Sequence, residues 1–344
     1  MVVPNILIVG AGFTGAVTAH LIKKIYPLAQ VVVWDKARGS GGRMTTSRSP
    51  KDHFCQADLG AQYISVQDKW HSRHEFFINP LITKNILVPY QENIIGFKKQ
   101  LGNSKLYVIP NGTGSLIDHL LESIPKKCIK FSHRVVSIDE VDGKYLVTTE
   151  NNESWNPDIV ILTIPVPQLF GLKGSVSKLI EADKALKDVR YSSRFVLVQF
   201  YDKNVKLPES DWSCQFLEHD TFRFVSIDNY KRNRRDDPTA VVFHTHVEFG
   251  QKNVEVDKAD MEKVLIEKAE ALFPDWPKPA AVKCHKWRYS QVIDSYQGQP
   301  GCVLLKNRPT LILGGDGFSS SDFQGCYQSG KVILQAVKAL WDER

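Results

Sequence analysis

Apolar residues near the start of the chain follow two regular patterns in turn. A short apolar run at 6–9 is followed by a stretch in which apolar residues return every three or four positions, and then by the β-branched run 31–33. Short apolar and β-branched runs are typical of buried strands, and the longer period is typical of an amphipathic helix. The first 35 residues therefore predict a strand, a helix and a second strand.

The same patterns divide the remaining chain into two kinds of region. Residues 107–171 predict a capped helix and then three strands, the first two joined by the turn Glu-Val-Asp-Gly-Lys. Residues from about 80 to 106 show short strands and turns without a helical period. Residues 172–285 predict helices and long strands, as in a separate antiparallel sheet.

Composition limits the class of protein. A chain of 344 residues with 42% apolar content is long enough for two domains of about 150 residues each. The longest apolar run, at 159–172, is too short to span a bilayer and contains Pro165 and Pro167, so we expect no membrane span. No Lys or Arg precedes Lys23, which argues against a signal peptide. The six cysteines are scattered without metal-ligand spacing, so we expect free thiols, no metal site and a cytoplasmic location.

The net charge of +6 is modest, and part of the excess lies in the cluster Tyr-Lys-Arg-Asn-Arg-Arg-Asp-Asp at 230–237. We interpret this cluster as a solvated loop. No basic stripe with interleaved aromatic residues is present, so nucleic-acid binding is not expected. A mild positive charge favours an anionic small molecule such as a dinucleotide.

The first predicted turn carries the spacing Gly10-x-Gly12-x-x-Gly15. In a dinucleotide-binding turn these glycines allow a tight bend, close approach of the backbone to a pyrophosphate and close packing of helix on strand. Asp35, 20 residues beyond Gly15, is placed to accept the hydroxyls of an adenosine ribose. A carboxylate there would repel a 2′-phosphate, which disfavours NADP as the tightly held dinucleotide.

A second glycine pair decides which dinucleotide we expect. Gly41, Gly42 and Arg43 follow the second strand, and the string Ala-Asp-Leu-Gly-Ala-Gln-Tyr-Ile follows at 57–64. An NAD dehydrogenase does not need this extra backbone, whereas the longer FAD does. The pattern therefore favours FAD.

The acid, the Gly-Gly-Arg element and the Asp-x-Gly-Ala element resemble the flavin amine oxidase superfamily. Further strings extend this resemblance to one branch of the superfamily, in order from residue 5 to about 340: LTIPVPQL, YSSRFVL, RFVSIDN, KWRYSQV and GGDGFSSSDFQGC. The resemblance implies an α/β fold, in which an inserted α+β substrate domain interrupts a Rossmann-type FAD-binding domain of the p-hydroxybenzoate hydroxylase and amine oxidase kind. It also implies an oxidase of 2-dihydro- and 6-dihydro-NAD(P), which passes hydride to flavin N5 and electrons to O2, giving NAD(P)⁺ and H2O2.

The resemblance also implies domain boundaries and a FAD site. The FAD-binding domain is expected at 1–78, 107–171 and 286–344, and the substrate domain at 79–106 and 172–285. FAD is expected to be held without a covalent bond by residues from both glycine loops and the segments between them: Gly10, Gly12, Thr14, Gly15, Asp35, Lys36, Gly42, Arg43, Ala61, Gln62, Tyr63, Val135, Gly315, Asp316 and Phe323. Val135 would touch the adenine through its backbone, and Asp316 would hold a ribityl hydroxyl.

The substrate cavity is expected to contain polar and basic groups: Tyr63, Arg223, Asn229, His244, Trp287 and Arg288. His244 and His246 alternate on a predicted strand, which permits metal binding, but no third ligand is apparent and a polar patch is the alternative. Trp287 and Arg288 are either cavity residues or an interface tryptophan with an exposed arginine.

Cys326 suggests a nucleophile or a covalent flavin anchor. It shares a helical face with apolar residues that follow it, among them Ile333 and Val337, so we interpret it as an inert core residue on a helix that begins near Phe323. The helix N-terminus would face the flavin N1 and C2 carbonyl, where negative charge grows on reduction.

Two other functions remain open from the sequence. A monoamine oxidase would use the same flavin chemistry on a free amine, in a cavity with aromatic walls. A secreted signalling protein would keep FAD as a structural group, although no signal peptide is seen. Hydrolase chemistry has no support, because there is no Gly-x-Ser-x-Gly elbow.

Overall fold

The computed structural model describes residues 4–96 and 103–342, which form two compact units. Unit 1 contains residues 4–42, 117–191 and 291–342, and unit 2 contains residues 43–96, 103–116 and 192–290. These units are defined by packing, so the functional boundaries expected above stay a prediction. Residues 97–102 of the expected segment 79–106 lie outside the described residues.

Ten α-helices occur within the described residues: α1 (Phe13–Ile25), α2 (Asp68–Arg73), α3 (Glu75–Thr83), α4 (Thr113–Leu121), α5 (Val166–Leu169), α6 (Val176–Ala182), α7 (Asp228–Lys231), α8 (Val247–Lys252), α9 (Lys258–Leu272) and α10 (Phe323–Asp342). Short 3₁₀ helices lie at Gly42–Met44, Lys126–Cys128, Lys184–Asp188 and Asp316–Phe318. Within this part of the chain, none of the helices combines the length and apolar character needed to cross a membrane.

The strands of the described residues are β1 (Asn5–Val9), β2 (Gln30–Trp34), β3 (Thr46–Arg48), β4 (Gln56–Asp58), β5 (Ile64–Gln67), β6 (Val88–Pro89), β7 (Ile94–Ile95), β8 (Ser104–Val108), β9 (Ile129–Lys130), β10 (Val135–Val141), β11 (Lys144–Thr149), β12 (Ser154–Trp155), β13 (Ile159–Leu162), β14 (Arg190–Tyr191), β15 (Arg194–Phe200), β16 (Cys214–Phe216), β17 (Phe222–Ile227), β18 (Ala240–Thr245), β19 (Ala281–Trp287), β20 (Val292–Asp294), β21 (Cys302–Lys306) and β22 (Thr310–Gly314).

Unit 1 is built on a six-stranded sheet in the order β21-β22-β13-β1-β2-β9. Its strands run in parallel except β21, which is antiparallel to β22. The central strands are continuous apolar runs because both of their faces are buried. The predicted strand, helix and strand at the N-terminus are therefore confirmed. β1 and β22 flank β13, so their carboxyl ends reach the same edge of the sheet.

A small antiparallel sheet, β10-β11-β12, also belongs to unit 1. The turn between β10 and β11 has positive φ angles at Asp142 and Gly143, 49° and 76°. Positive φ at both central residues is the type I′ hairpin turn, for which Asp-Gly is a preferred sequence. The predicted hairpin is confirmed at this turn.

Unit 2 is built on a second six-stranded sheet, in the order β19-β15-β18-β17-β16-β7. It is antiparallel except where β16 pairs with β7. One face packs against α9 through residues such as Phe195 and Leu265. The other face packs against the segment that includes β4, where Val196 and Val198 meet Ala57. Together the two units confirm the predicted α/β fold class.

Two local predictions are wrong. His246 does not alternate with His244 on one strand, because β18 ends at Thr245 and His246 precedes α8. After β18 the chain turns into α8, whose Gly250 packs closely against Ser193. A Cβ on Gly250 would lie 2.1 Å from the Ser193 carbonyl oxygen. The segment predicted as strands and turns from about residue 80 also begins with the end of α3, which extends to Thr83.

Candidate active site

The turn between β1 and α1 fits a pyrophosphate. Gly10 has a φ of 113°, in the region that favours glycine. A Cβ on Gly15 would lie 2.0 Å from the Gly10 carbonyl oxygen, whereas a Cβ on Gly12 would meet no atom within 4 Å. The helix therefore packs tightly through Gly15 while open space remains beside Gly12. That space lies at the N-terminus of α1, where N–H groups and the helix dipole favour an anion.

Asp35 follows β2 at the same edge of the sheet. Its Oδ2 accepts a hydrogen bond from the Ala11 N–H at 2.7 Å, and its Oδ1 accepts one from the Ala37 N–H at 2.7 Å. Each carboxylate oxygen can accept a second hydrogen bond, so the group fits the expected ribose hydroxyls. The neighbouring Lys36 is exposed, and its ammonium donates to Gln168 Oε1 at 2.6 Å.

The second glycine loop lies beside the first, although 312 residues separate Thr14 from Cys326. The Thr14 hydroxyl donates to the Cys326 carbonyl at 3.3 Å, and the rings of Phe13 and Phe323 stack with centroids 4.7 Å apart. α1 and α10 pack against each other. Thr14 and Phe323, both expected to contact FAD, thus lie in one region of unit 1.

Asp316 lies at the centre of the second loop and is only 3% exposed. Its carboxylate accepts hydrogen bonds from the Tyr191 hydroxyl at 3.3 Å and the Ser321 hydroxyl at 2.5 Å. The preceding Gly315 has a φ of 117°. A buried carboxylate held by two hydroxyls in a glycine turn fits the expected contact with a ribityl hydroxyl.

The predicted start of α10 at Phe323 is confirmed. Asp322 caps this helix, because its Oδ1 accepts a hydrogen bond from the Gly325 N–H at 2.6 Å. The Cys326 thiol is partly buried and lies 3.7 Å from the Ser320 carbonyl oxygen. No disulfide involves this or any other cysteine of the chain.

The remaining residues expected to bind FAD occur in both units. In unit 1, a Cβ on Gly42 would lie 3.2 Å from the Gly12 Cα, and Val135 is buried at the start of β10. In unit 2, the Arg43 carbonyl accepts a hydrogen bond from the Ala61 N–H at 3.1 Å. Direct contact of these residues with FAD stays a prediction.

Four charged side chains form a buried cluster in unit 2, which we call the ion cluster. Lys231 and Arg232 pair with the carboxylates of Asp58 and Asp228, and all four are at most 4% exposed. Burial by itself raises the pKa of Asp58, but Arg232 and Lys231 outweigh it and hold that pKa well below its usual value. The interpretation of 230–237 as a solvated loop is therefore wrong for Lys231 and Arg232.

Gln62 connects the ion cluster to His244. Its Oε1 accepts hydrogen bonds from Lys231 Nζ at 3.1 Å and from the Ser226 hydroxyl at 2.8 Å. Its Nε2 donates to the Asp58 carbonyl at 2.6 Å and lies 3.1 Å from His244 Nε2. Protein groups thus engage both ends of this side chain, which leaves the backbone of Gln62 for the expected FAD contact.

His244 lies on the face of the unit 2 sheet opposite α9. It flanks Val196 on one side, and His285 flanks Val196 on the other. Burial, followed by the nearby Arg194 and Lys231 cations, lowers the pKa of His244 to about 3. The ring is therefore neutral at physiological pH.

Basic and aromatic residues extend this region of unit 2. Trp287 is the neighbour of Arg194 across the sheet, and its indole N–H donates to the Leu59 carbonyl at 2.9 Å. Burial, with Arg223 nearby, lowers the pKa of Arg194 to about 10. Burial raises the pKa of Tyr63 to about 12, against the effect of the same Arg223. Arg223, His244 and Trp287 are thus each neighbours of Arg194, which sequence reasoning missed, and Tyr63 lies near Arg223.

The other two expected cavity residues are engaged differently. Asn229 is buried, and its Nδ2 donates to the Asp237 carbonyl at 3.2 Å, while its Oδ1 has no partner among the described residues. Arg288 is exposed and forms a two-point ion pair with Glu255 at 2.5 and 2.9 Å. Within residues 4–96 and 103–342, no three His, Cys, Asp or Glu side chains are grouped as a metal site.

The fold, the pyrophosphate turn and the second glycine loop define a flavin-dependent oxidoreductase. The family model described as flavin containing amine oxidoreductase matches residues 90–333, and one described as NAD(P)-binding Rossmann-like domain matches residues 8–76. The chain therefore belongs to the flavin-containing amine oxidoreductase family, whose cofactor is FAD, and the expected superfamily is confirmed.

Within this family the chain is similar to Renalase of Mus musculus, with 38% identity over 97% of this chain and 98% of that protein. That similarity supports the closer branch predicted from the sequence. A crystal structure of a provisionally assigned protoporphyrinogen oxidase from Exiguobacterium sp. 255-15 shares the fold, with a TM-score of 0.73 over 98% of this chain and 99% of the other. At 13% identity this likeness concerns the fold alone.

Proposed function

We propose that this flavoprotein oxidises the 2-dihydro and 6-dihydro isomers of NAD(P) to NAD(P)⁺. The balanced reaction is dihydro-NAD(P) plus O2 plus H⁺ to NAD(P)⁺ plus H2O2. Bound FAD supplies the hydride acceptor, N5, and passes the two electrons to O2. The similarity to renalase and the residues of unit 2 support this choice of substrate.

The observation that carries the proposal is the basic character of the region around His244. Arg194 lies near His244 and Arg223 lies near Arg194, while the carboxylates Asp58 and Asp228 are neutralised within the ion cluster. Such a region attracts the phosphates of a dinucleotide and repels a protonated amine.

The proposed hydride transfer requires no general base among the side chains. A dihydropyridine gives up hydride without prior loss of a proton, so the protein has to fix the distance and angle of the substrate. His244 suits this role, because its lowered pKa of about 3 keeps the ring uncharged. We assign Arg194, Arg223 and Trp287 to binding and orientation, with Tyr63 beside them.

Anaerobic stopped-flow mixing tests the proposal through loss of the oxidised flavin absorbance. We expect 2-dihydro- and 6-dihydro-NAD(P) to reduce the flavin rapidly, and H2O2 to form when air is admitted. Rapid reduction by catecholamines, with none by the dihydronicotinamides, would show a monoamine oxidase. Acid precipitation of the same protein should leave yellow colour in the supernatant, as expected for FAD that is not covalently bound.

We further propose a cytoplasmic location, supported by six cysteines without a disulfide. Cell fractionation with an antibody tests it. Recovery of the protein mainly from the medium of intact cells would favour the secreted alternative.

A further inference from the structure

The amide of Gln62 can adopt only one orientation in this structure. Lys231 Nζ is a donor without acceptor capacity, so the atom it contacts at 3.1 Å has to be the amide oxygen. The Asp58 and Gly60 carbonyls accept hydrogen bonds only, so the atom they contact at 2.6 and 3.2 Å has to be the amide nitrogen. A flipped amide would place donor against donor and acceptor against acceptor.

This orientation leaves two N–H groups on the Gln62 amide: the Asp58 carbonyl takes one, and the Gly60 carbonyl and His244 Nε2 share the other. The amide nitrogen lies 3.1 Å from His244 Nε2. A proton on Nε2 would oppose the amide hydrogen, whereas an unprotonated Nε2 accepts it. Among the described residues, none accepts a hydrogen bond from His244 Nδ1, although the ring is partly buried.

We propose that Gln62 is a positioning residue that holds His244 as the neutral tautomer protonated on Nδ1. His244 then presents a fixed hydrogen-bond donor, and it selects ligands that offer an acceptor. The ion cluster takes part indirectly, because Lys231 occupies the Gln62 oxygen and is itself held by Asp58 and Asp228.

This assignment deepens the proposed function and, in its substrate step, rests on it. A dihydronicotinamide carries a carboxamide whose oxygen is an acceptor, and hydrogen bonding at that oxygen would fix the orientation of the ring. A ligand with a cationic amine at the same point would meet a donor and would be rejected. The tautomer itself does not depend on any substrate.

Nitrogen-15 NMR of the holoprotein, labelled at its histidines, tests the tautomer directly. The His244 signals are assigned by their loss in His244→Gln. We expect a pyrrole-type signal from Nδ1 and a pyridine-type signal from Nε2 at neutral pH. In Gln62→Glu the carboxylate accepts from Nε2, so the two signal types should exchange or His244 should become protonated. The charged and titratable groups facing this ring are Arg194, Lys231 and His285.

Ser226→Ala is the matched control, because Lys231 still holds the Gln62 oxygen and the tautomer should not change.

In steady-state assays with 6-dihydro-NAD, Gln62→Glu should raise KM about three- to tenfold, the range for loss of one hydrogen bond, with a smaller change in kcat. A protonated Nε2 in the wild-type protein would overturn the proposal, as would an unchanged tautomer in Gln62→Glu. If that variant does not fold, the wild-type spectrum decides. Failure of the proposed substrate would leave the NMR result intact, so the two outcomes are distinguishable.

Discussion

The two units hold their candidate site residues by different means. In unit 1 the candidate site is formed mainly by backbone, at the glycine turns of Gly10 and Gly315 and at the starts of α1 and α10. In unit 2 side-chain contacts hold the candidate residues in place, through the ion cluster and the contact of Gln62 with His244. Backbone requirements leave a visible glycine spacing, whereas a side-chain network joins residues that look ordinary in sequence. Substitutions should therefore fail for different reasons in the two units.

Gly15→Ala should have the largest effect. The added methyl group would lie 2.0 Å from the Gly10 carbonyl oxygen, so the helix has to move, and we expect a loss of more than about 4 kcal/mol in the free energy of unfolding. Gly12→Ala is the matched control, because its methyl group meets no protein atom within 4 Å. That variant should fold but lose FAD. Circular dichroism and the ratio of flavin to protein measure both effects, and a Gly15→Ala protein with normal stability would contradict the comparison.

Lys231→Met tests the side-chain network of unit 2. Removing one cation leaves Asp58 and Asp228 buried with Arg232 alone, and we expect the free energy of unfolding to fall by about 3–5 kcal/mol. Arg235→Ala removes a nearby exposed ion pair with Glu92 and should cost less than about 1 kcal/mol. Urea denaturation of the two variants provides the measurement. Equal effects would mean that burial of the cluster has no energetic consequence.

The smallest expected effect concerns pH. Burial, followed by Lys283 and Lys258, lowers the pKa of His285 to about 4. The folded ring stays neutral where the unfolded one gains a proton, so its contribution is fully present above pH about 6.5 and declines as pH falls toward 4. Between pH 7 and 5 the wild-type protein should lose about 1–2 kcal/mol more than His285→Gln because of this lowered pKa. Urea denaturation at each pH provides the measurement. An equal change in the free energy of unfolding of the wild-type protein and of His285→Gln across that range would contradict the prediction.

The sequence predicted unit 1 better than unit 2. The spacing of Gly10, Gly12 and Gly15 requires a particular turn, and the Asp142-Gly143 pair requires a particular hairpin, so each motif carries its own geometry. The second loop was also visible, because Asp316 stands between glycines directly after an apolar strand.

What the sequence did not predict depends on distant partners. Lys231 and Arg232 look like the other charges of 230–237, and their burial follows from Asp58, 173 residues away from Lys231. His246 continued a local alternation that tertiary packing ended. Arg194 had a detectable signal, since it alternates with Val196 and Val198 and so occupies an inward position of a strand.

The order of strands in unit 1 also constrains how the protein is made. β13 lies between β1 and β22, and β22 begins at Thr310, whereas β13 ends at Leu162. A ribosome therefore has to add the whole segment between Leu162 and Thr310 before this edge of β13 is covered. Until then the nascent chain exposes an unpaired apolar edge and cannot form the second glycine loop. We therefore expect FAD to be captured only after β22 and the second glycine loop have been made, which gives chaperones an extended interval in which to act on the emerging chain.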